Sequence, residues 1–412
     1  MDLHTIITHK IVFGGNSLGK INGKNIFVPF GIPGEKVEIR ITEQKKDYDF
    51  GEIVNIVEPS EHRVKPPCKY YGICGGCNMM HISSEYQTEI RKSMLSEMFV
   101  NNGIKIEEDK INVISGPEFN YRARFQLNDG GLSEKHTNTT IKIDECLCAE
   151  KQSNNYFKTE KDSRPKGRIH LFGSEKTVTS DGQIMENPII SIPEEKTVQK
   201  NIQSKKSSRK IKQKKNTYFS GTAYSPQNSV TVQIADKKIS FDVRGFFQSN
   251  LFVFEKTCKL IRELLFPSSN VLDMYAGCGS LSVFAKDKCD KITLVEHHRD
   301  ALVYAEQNLL GLNHTSYGLS GEKWVQTGSK ECGHFDSIII DPPRSGMEKA
   351  VRDYLKKSGA NQIISLSCDP ATHARDISEI IKGGYEIHSV YLLDFYPNTS
   401  HIESLVELRK IL

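Results

Sequence analysis

The chain has 412 residues, of which 55 are lysine or arginine and 51 are aspartate or glutamate, so its formal net charge is +4. With 26% charged and 37% hydrophobic residues, it has the composition of a soluble enzyme of two to three domains. No apolar run approaches the ~20 residues needed to cross a membrane, and the start lacks the regions of a secretory signal. These features predict a cytoplasmic protein, whereas the small positive charge gives only weak support for a nucleic-acid partner.

Residues 1–59 are predicted to form a small, OB-like antiparallel β-barrel. Short strands separated by turns rich in glycine and asparagine are typical of such a barrel, and they fall at residues 11–13, 25–29, 36–41 and 51–57. Barrels of this kind bind nucleic acid through stacking and charge, which Tyr48, Lys45 and Lys46 can supply. The alternative is a polar turn without a ligand.

Five cysteines form a second pattern, with three clustered and two much later in the chain: Cys68, Cys74, Cys77, Cys146 and Cys148. Without a secretory signal, such spacing favours a metal or cluster over disulfides. Zinc sites usually show two short cysteine pairs. Three clustered cysteines plus one distant cysteine suit an iron–sulfur cluster held by four thiolates. The alternative is that they are free core cysteines.

Residues 60–240 are predicted to form an α+β central domain. A helix is expected over residues 85–101, and a basic, aromatic strand over 121–127 is suited to holding RNA near an active site. Residues 150–217 are polar and include, from 196 to 215, a run of basic residues without an acid. We therefore predict a basic, mobile insert over about 150–217, whose basic run is attracted to phosphates; the alternative for the run is a solvated loop without a specific role.

Residues 241–412 are predicted to form a Rossmann-like α/β domain, which begins with a helix over 248–265. The apolar strand 271–274 leads into a turn with the sequence Gly-Cys-Gly, and a second strand ends at Glu296. Glycines let the backbone approach a ligand closely, and a carboxylate at this position binds the hydroxyls of a ribose. Because the turn has neither a third glycine nor a basic phosphate clamp, the predicted ligand is S-adenosylmethionine rather than NAD.

The later strands of this domain place an acid and a thiol at the same edge of the sheet. The third strand ends at Asp341, and the fourth is followed by Cys368. Because the carboxyl ends of parallel strands share an edge, Asp273, Glu296 and Asp341 are expected to converge on the thiol. The helix that begins near Pro370 is expected to favour its thiolate. The alternative is that Cys368 is an ordinary buried cysteine.

Several motifs resemble those of the RNA uracil-C5 methyltransferases, in particular the branch that modifies 23S rRNA. Besides the glycine turn they are Gly245–Asn250, Asp341–Arg344, Ser367–Thr372 and His401–Ser404. The resemblance implies that Cys368 is the nucleophile and Glu403 the general base. It also implies a cofactor and uracil pocket made by Gln248, Tyr275, Ser280, Glu296 and Asp341.

The same resemblance extends to the first half of the chain. It implies a [4Fe–4S] cluster whose ligands are Cys68, Cys74, Cys77 and Cys146. Cys148 stands outside this ligand set. The barrel resembles a TRAM domain, a module used for RNA, through Gly19-Lys20 and Pro33-Gly34-Glu35.

The chemistry of uracil explains these residue types. Carbon 5 is a poor nucleophile, but addition of a thiolate to carbon 6 creates an enolate that can accept a methyl group. A carboxylate must then remove the proton from carbon 5, and Asp369 and Asp394 are the next candidates if Glu403 does not. The base must leave its stack to reach the thiol.

The predicted partner is therefore RNA, with 23S rRNA as the first candidate, tRNA as the alternative and no protein partner implied. A noncatalytic RNA-binding or assembly protein on the same fold is the alternative from another class. An N-methyltransferase is disfavoured, because a nitrogen lone pair needs no thiol partner.

Overall fold

The computed structural model describes residues 3–135, 137, 139–191 and 228–411. Within the predicted insert at 150–217, Lys151–Thr159 form a helix, and Arg168–Phe172 and Ile189–Ser191 form strands. The basic run at 196–215 lies outside the described residues, so its attraction to phosphates stays a prediction. The described chain contains an N-terminal sheet, a central α+β region and a large α/β sheet.

The N-terminal region consists of six strands, β1 (Leu3–Ile7), β2 (Lys10–Ile11), β3 (Asn16–Ile21), β4 (Lys24–Pro29), β5 (Lys36–Gln44) and β6 (Tyr48–Glu58). They form one sheet in the order β1-β5-β6-β4-β3-β2. Its strand pairs are antiparallel except β4 with β6, which is parallel, so the prediction of a wholly antiparallel barrel is wrong at that pair. Alternate residues point inward and bury Ile26, Val28, Val37 and Ile39, as the two-residue period of a strand requires. The sequence pattern does not predict β1 and β3, and β3 contains mostly polar residues and Gly19.

The central region contains α1 (Ser84–Val100), β7 (Ile111–Ile114), β8 (Arg124–Asn128), β9 (Leu132–Ser133), β10 (Thr140–Ile141), α2 (Lys151–Thr159), β11 (Arg168–Phe172), β12 (Ile189–Ser191), β13 (Ser229–Ile234) and β14 (Lys237–Asp242). Strands β12, β11 and β8 form an antiparallel sheet. Phe157 of α2 packs on this sheet against Phe125 and Leu171, which gives the region a core of its own. Strands β13 and β14 form a hairpin.

The C-terminal region contains α3 (Leu251–Leu264), β15 (Ser268–Met274), α4 (Ser282–Ala285), β16 (Cys289–Val295), α5 (Arg299–Asn308), β17 (His314–Tyr317), α6 (Gly321–Thr327), β18 (Ser337–Ile340), α7 (Lys349–Lys357), β19 (Gln362–Ser367), α8 (Pro370–Ile380), β20 (Tyr385–Leu393) and β21 (Glu403–Lys410). The sheet order is β17-β16-β15-β18-β19-β21-β20-β7. The first five strands are parallel, and β21 lies antiparallel between β19 and β20. Strand β7, from the central region, completes the edge beside β20.

The large sheet is covered on both faces. Every residue of β18 and β19 is buried, which explains why isoleucine and leucine supply most of their side chains. Ile339 and Ile364 contribute to the core on one face, and Ile338 and Ile363 to the core on the other. Helix α1 packs on the second face, against α8. In the described part of the chain no helix is long and apolar enough to cross a membrane.

Candidate active site

The placement of Cys368 opposite Glu403 follows from the register of two antiparallel strands. Ser367 of β19 pairs with Ser404 of β21, so the next position of each strand at this edge is Cys368 on one and Glu403 on the other. Glu403 is only 8% exposed. Burial, and then the negative charge of Asp341, raises its pKa to about 8. The structure therefore brings the proposed nucleophile and base together.

The three acids at the strand ends lie close to one another, and among them Asp341 acts on the Cys368 thiol. Burial, and to a smaller extent the charges of Asp341 and Glu296, raises the pKa of Asp273 to about 7. Burial raises the pKa of Asp341 to about 6. Asp273 is 1% exposed and accepts a 2.5 Å hydrogen bond from the Ser282 hydroxyl. This bond ties β15 to the first residue of α4. Glu296 already accepts two backbone hydrogen bonds, from the N–H groups of Gly277 and His298.

The pKa of the Cys368 thiol is raised, whereas the sequence analysis expects its thiolate to be favoured. Burial, followed by the negative charges of Glu403 and Asp341, raises its pKa to about 11. The N-terminus of α8 is capped by Asp369, which accepts a hydrogen bond from the N–H of Thr372 at 2.9 Å. Burial and the nearby acids therefore dominate the pKa of this thiol in the free protein, and the contribution of the helix to the thiolate stays a prediction.

Two residues that the sequence analysis did not single out lie at the same edge. The positive charge of Arg344 lowers the pKa values of Cys368 and Glu403 and so opposes the effect of burial. Burial, and then the charge of Glu403, raises the pKa of Tyr396 to about 12. Its ring packs against His401 with 5.7 Å between ring centroids. Arg344 belongs to a motif that the sequence shows, whereas no pattern pointed to Tyr396.

The glycine turn after β15 and the end of β16 form a site that fits a nucleoside cofactor. Tyr275 and Gly277 adopt positive φ angles of 64° and 56°. The Glu296 carboxylate accepts a 2.9 Å hydrogen bond from the N–H of Gly277, which places an acid beside the turn where ribose hydroxyls bind. The side-chain oxygen of Gln248 is buried without a hydrogen-bond partner. A ligand donor would satisfy that acceptor.

The other two predicted cofactor residues make protein contacts. The hydroxyl of Tyr275 donates a hydrogen bond to Glu348. Ser280 is half-buried, and its hydroxyl interacts with the thiol of Cys278. Because Tyr275 and Ser280 flank the glycine turn, their backbone groups can contact a cofactor as well as their side chains can.

The two alternative bases are already engaged in the structure. Asp369 caps α8, as described above. Asp394 is 8% exposed and accepts a 2.9 Å hydrogen bond from the guanidinium of Arg91. Because both carboxylates have protein partners, Glu403 remains the better candidate base.

A second site, the thiol cavity, lies in the central region. It has a volume of about 470 Å³, and its walls include all five cysteines of the sequence pattern, Cys68, Cys74, Cys77, Cys146 and Cys148. The sulfur atoms of Cys77 and Cys148 are 3.8 Å apart. A Cβ at Gly75 would lie 3.3 Å from the carbonyl oxygen of Ser133, so glycine permits a close approach at this wall.

The cysteine geometry does not by itself confirm an iron–sulfur site. Among the residues that the structure describes, no group of three or more Cys, His, Asp or Glu side chains is arranged to hold a metal ion. A cavity lined by five thiols nevertheless fits a cluster, because the thiolates of a four-iron core bind separate iron atoms and do not meet at one point.

Comparisons with known proteins agree with the fold and the site. Residues 6–54 match the TRAM domain, and residues 329–411 match the tRNA (Uracil-5-)-methyltransferase family. An uncharacterized RNA methyltransferase of Treponema denticola is 35% identical, with 100% of each chain covered. Another, from Aquifex aeolicus, is 28% identical and covers 98% of this chain and 97% of its own.

Among solved structures, the Pyrococcus abyssi tRNA (uracil-54, C5)-methyltransferase in complex with S-adenosyl-L-homocysteine has the same fold. Its TM-score is 0.69 at 20% identity, with 98% of this chain and 100% of that chain covered. Fold, site and relatives together define an S-adenosylmethionine-dependent RNA methyltransferase. Within that class, the chain belongs to the RNA uracil-C5 methyltransferase family, with a TRAM domain at its N-terminus.

Proposed function

We propose that this protein methylates carbon 5 of a uridine in RNA through a covalent bond between Cys368 and carbon 6. The observation that carries the proposal is the placement of Cys368 opposite Glu403, which follows from the pairing of Ser367 with Ser404. A nitrogen methyltransferase needs neither group, whereas carbon 5 needs both a nucleophile at carbon 6 and a base at carbon 5.

The proposed steps use the side chains as follows. The thiol of Cys368 loses its proton to solvent as uracil enters, aided by the positive charge of Arg344, and its sulfur bonds to carbon 6. Carbon 5 of the resulting enolate takes the methyl group from the sulfonium of S-adenosylmethionine, whose carbon–sulfur bond breaks so that S-adenosylhomocysteine leaves. Glu403 then removes the carbon 5 proton, and the sulfur–carbon bond breaks to return the thiolate. Such a general base contributes about 10²–10⁴-fold.

The remaining polar groups bind and orient. S-adenosylmethionine supplies the methyl group, and Glu296 would hold its ribose beside the glycine turn. Asp341 is suited to accept a hydrogen bond from the N3–H of uracil, since its pKa of about 6 leaves it largely ionised at neutral pH. The unpaired oxygen of Gln248 would accept a hydrogen bond from the cofactor or the base.

Contacts with RNA are proposed at two surfaces. On the barrel, Tyr48 is 38% exposed and its ring centroid lies 5.4 Å from that of Phe27, near Lys45 and Lys46. Next to the active site, Phe246 is 71% exposed, two residues before Gln248. Exposed aromatic rings beside basic groups stack on unpaired bases.

The substrate that we propose is 23S rRNA, as the motifs imply, with tRNA as the alternative because the Pyrococcus structure is a tRNA enzyme. Release of tritium from carbon 5 of uridine would be measured with unmodified 23S rRNA and tRNA transcripts. Release from rRNA alone supports the proposal, and release from tRNA alone selects the alternative. Release from neither, with RNA still bound, would indicate a noncatalytic RNA-binding protein.

We further propose that the thiol cavity holds a [4Fe–4S] cluster on Cys68, Cys74, Cys77 and Cys146. Protein purified without oxygen should then contain roughly four iron and four sulfide per chain. Cys146→Ser should lose both, whereas the matched variant Cys148→Ser should keep them. The reverse pattern would move the fourth ligand to Cys148, and zinc in place of iron would refute the cluster.

A further inference from the structure

Arg91 is a buried arginine in α1, distant in sequence from every active-site motif. It is 1% exposed. One terminal nitrogen donates a 2.9 Å hydrogen bond to the carboxylate of Asp394, and the other donates to the carbonyl oxygens of Thr399 at 3.2 Å and Tyr396 at 3.4 Å. All three acceptors lie in residues 394–402, the segment that joins β20 to β21. One guanidinium therefore binds this segment at its first residue and again in its middle.

Segment 394–402 has no regular secondary structure, so its path depends on contacts of this kind. The carbonyl of Phe395 accepts a 3.2 Å hydrogen bond from Asn250, and that of Pro397 accepts a 2.9 Å bond from the hydroxyl of Tyr121. Each of these two side chains holds one point of the segment. Two further side chains, Gln87 and Asn78, make two hydrogen bonds each, to Asn398 and to Ser400. Arg91 differs from all of these in binding three residues of the segment with one planar group.

The segment leads directly into Glu403, the first residue of β21. On one side the position of this carboxylate is set by strand pairing, and on the other side it is set by the segment. We propose that Arg91 is a positioning residue that holds Glu403 opposite Cys368. The inference rests on the proposed function, in which Glu403 removes the carbon 5 proton. Arg91 itself touches no reacting atom.

Arg91→Lys tests the role with the least damage to the fold. The lysine keeps a positive charge beside Asp394, but its single ammonium lacks the planar fork that reaches the two carbonyls. Because displacement of a catalytic group by about 1 Å can cost about 10²-fold, methylation of uridine RNA should fall by up to that factor. Addition of Cys368 and methyl transfer need no base, so these steps should continue.

The expected signature is a covalent protein–RNA species. With uridine RNA, Arg91→Lys should accumulate an adduct that requires S-adenosylmethionine, carries its methyl label and survives denaturing electrophoresis. In RNA that contains 5-fluorouridine, carbon 5 has no proton to remove. With this RNA, Arg91→Lys should form the adduct at nearly the rate of the wild type. A general loss of structure would slow both reactions together.

Arg164→Lys is the matched control. Arg164 is 5% exposed and donates hydrogen bonds to the carbonyl oxygens of Gly130, Ile143 and Phe157. None of these acceptors lies in segment 394–402. This variant should lose stability without accumulating a methylated adduct on uridine RNA.

The outcomes separate the inference from the proposed function. If wild-type protein forms no adduct with 5-fluorouridine RNA, or Glu403→Gln forms none with uridine RNA, the proposed mechanism fails. If both form adducts but Arg91→Lys behaves like Arg164→Lys, the positioning role is refuted. Should Arg91→Lys not fold, Asp394→Asn weakens the same contact from the other side, and it must accumulate the adduct for the inference to stand.

Discussion

The imidazole of His373 lies 2.7 Å, through Nδ1, from the hydroxyl oxygen of Ser404, the residue that follows Glu403. Its Nε2 lies 3.1 Å from the hydroxyl oxygen of Ser365. All three side chains are at most 1% exposed. Burial lowers the pKa of His373 to about 3, so the ring is neutral, with one nitrogen donating and the other accepting. It thus links α8 to both strands that carry the proposed catalytic pair.

Replacement of this imidazole should destabilise the protein. His373→Leu removes the ring nitrogens and leaves the buried hydroxyls of Ser365 and Ser404 without that partner. We expect the free energy of unfolding to fall by about 1–3 kcal/mol, as measured by urea denaturation.

The triple variant His373→Leu, Ser365→Ala, Ser404→Ala is the control. Replacing all partners with apolar groups removes the penalty for unpaired hydroxyls, so much of the lost stability should return. An equal loss in the single and triple variants would show that packing, and not hydrogen bonding, is the contribution of His373.

Glu403→Gln should trap the enzyme on its product. Cys368 can still add to carbon 6, and carbon 5 can still take the methyl group, but an amide cannot accept the proton that must leave. Denaturing electrophoresis with labelled S-adenosylmethionine should show a methylated protein–RNA band.

That band should vanish when Cys368→Ala is added, and this single change should leave binding of S-adenosylmethionine intact. Turnover of Glu403→Gln near the wild-type rate would assign proton removal to another group.

Much of the large sheet could be predicted because its strands carry their own signal. Continuous apolar runs such as Ile363–Leu366 mark strands that are buried on both faces, and the edge shared by parallel strands then brings Asp341, Glu296 and Cys368 together. The sequence pattern therefore located the candidate site without any contact information.

Other features depend on residues far apart in the chain and left no local signal. Ile111–Ile114 pairs with β20, more than two hundred residues away, and nothing in four residues specifies that partner. The raised pKa of the Cys368 thiol arises from burial and from charges on other strands. The hydrogen bonds of Arg91 join the buried face of α1 to the irregular segment 394–402. No periodicity in the sequence predicts such a contact.

Glu296→Ala should weaken cofactor binding. A hydrogen bond to a charged group contributes about 1.5–3 kcal/mol, so loss of the ribose contact should raise the dissociation constant for S-adenosylmethionine about 10- to 100-fold. Isothermal titration calorimetry would measure it.

The exposed carboxylate Glu386 on β20 provides the comparison, since Glu386→Ala should leave that constant unchanged. Because Glu296 also accepts a hydrogen bond from the backbone of Gly277, thermal unfolding must show that the Glu296→Ala protein is folded at the titration temperature. A folded variant with wild-type affinity would contradict the assignment.

The raised pKa of Glu403 predicts opposite pH dependences for stability and for activity. The folded protein holds the proton of Glu403 up to about pH 8, whereas the ordinary value is 4.5. Stability from this group is therefore complete below about pH 4.5 and is lost as the pH rises through 8. The free energy of unfolding of the wild type should fall more steeply between pH 5 and 8 than that of Glu403→Gln, by up to about 1.4 kcal/mol per pH unit.

Resolution of the methylated adduct, which needs the ionised carboxylate of Glu403, should instead accelerate toward pH 8, as rapid-quench measurements of the wild type would show. Equal pH slopes of stability in the two proteins would mean that Glu403 ionises in the fold as it does in water, and would remove the basis for the expected rise in activity.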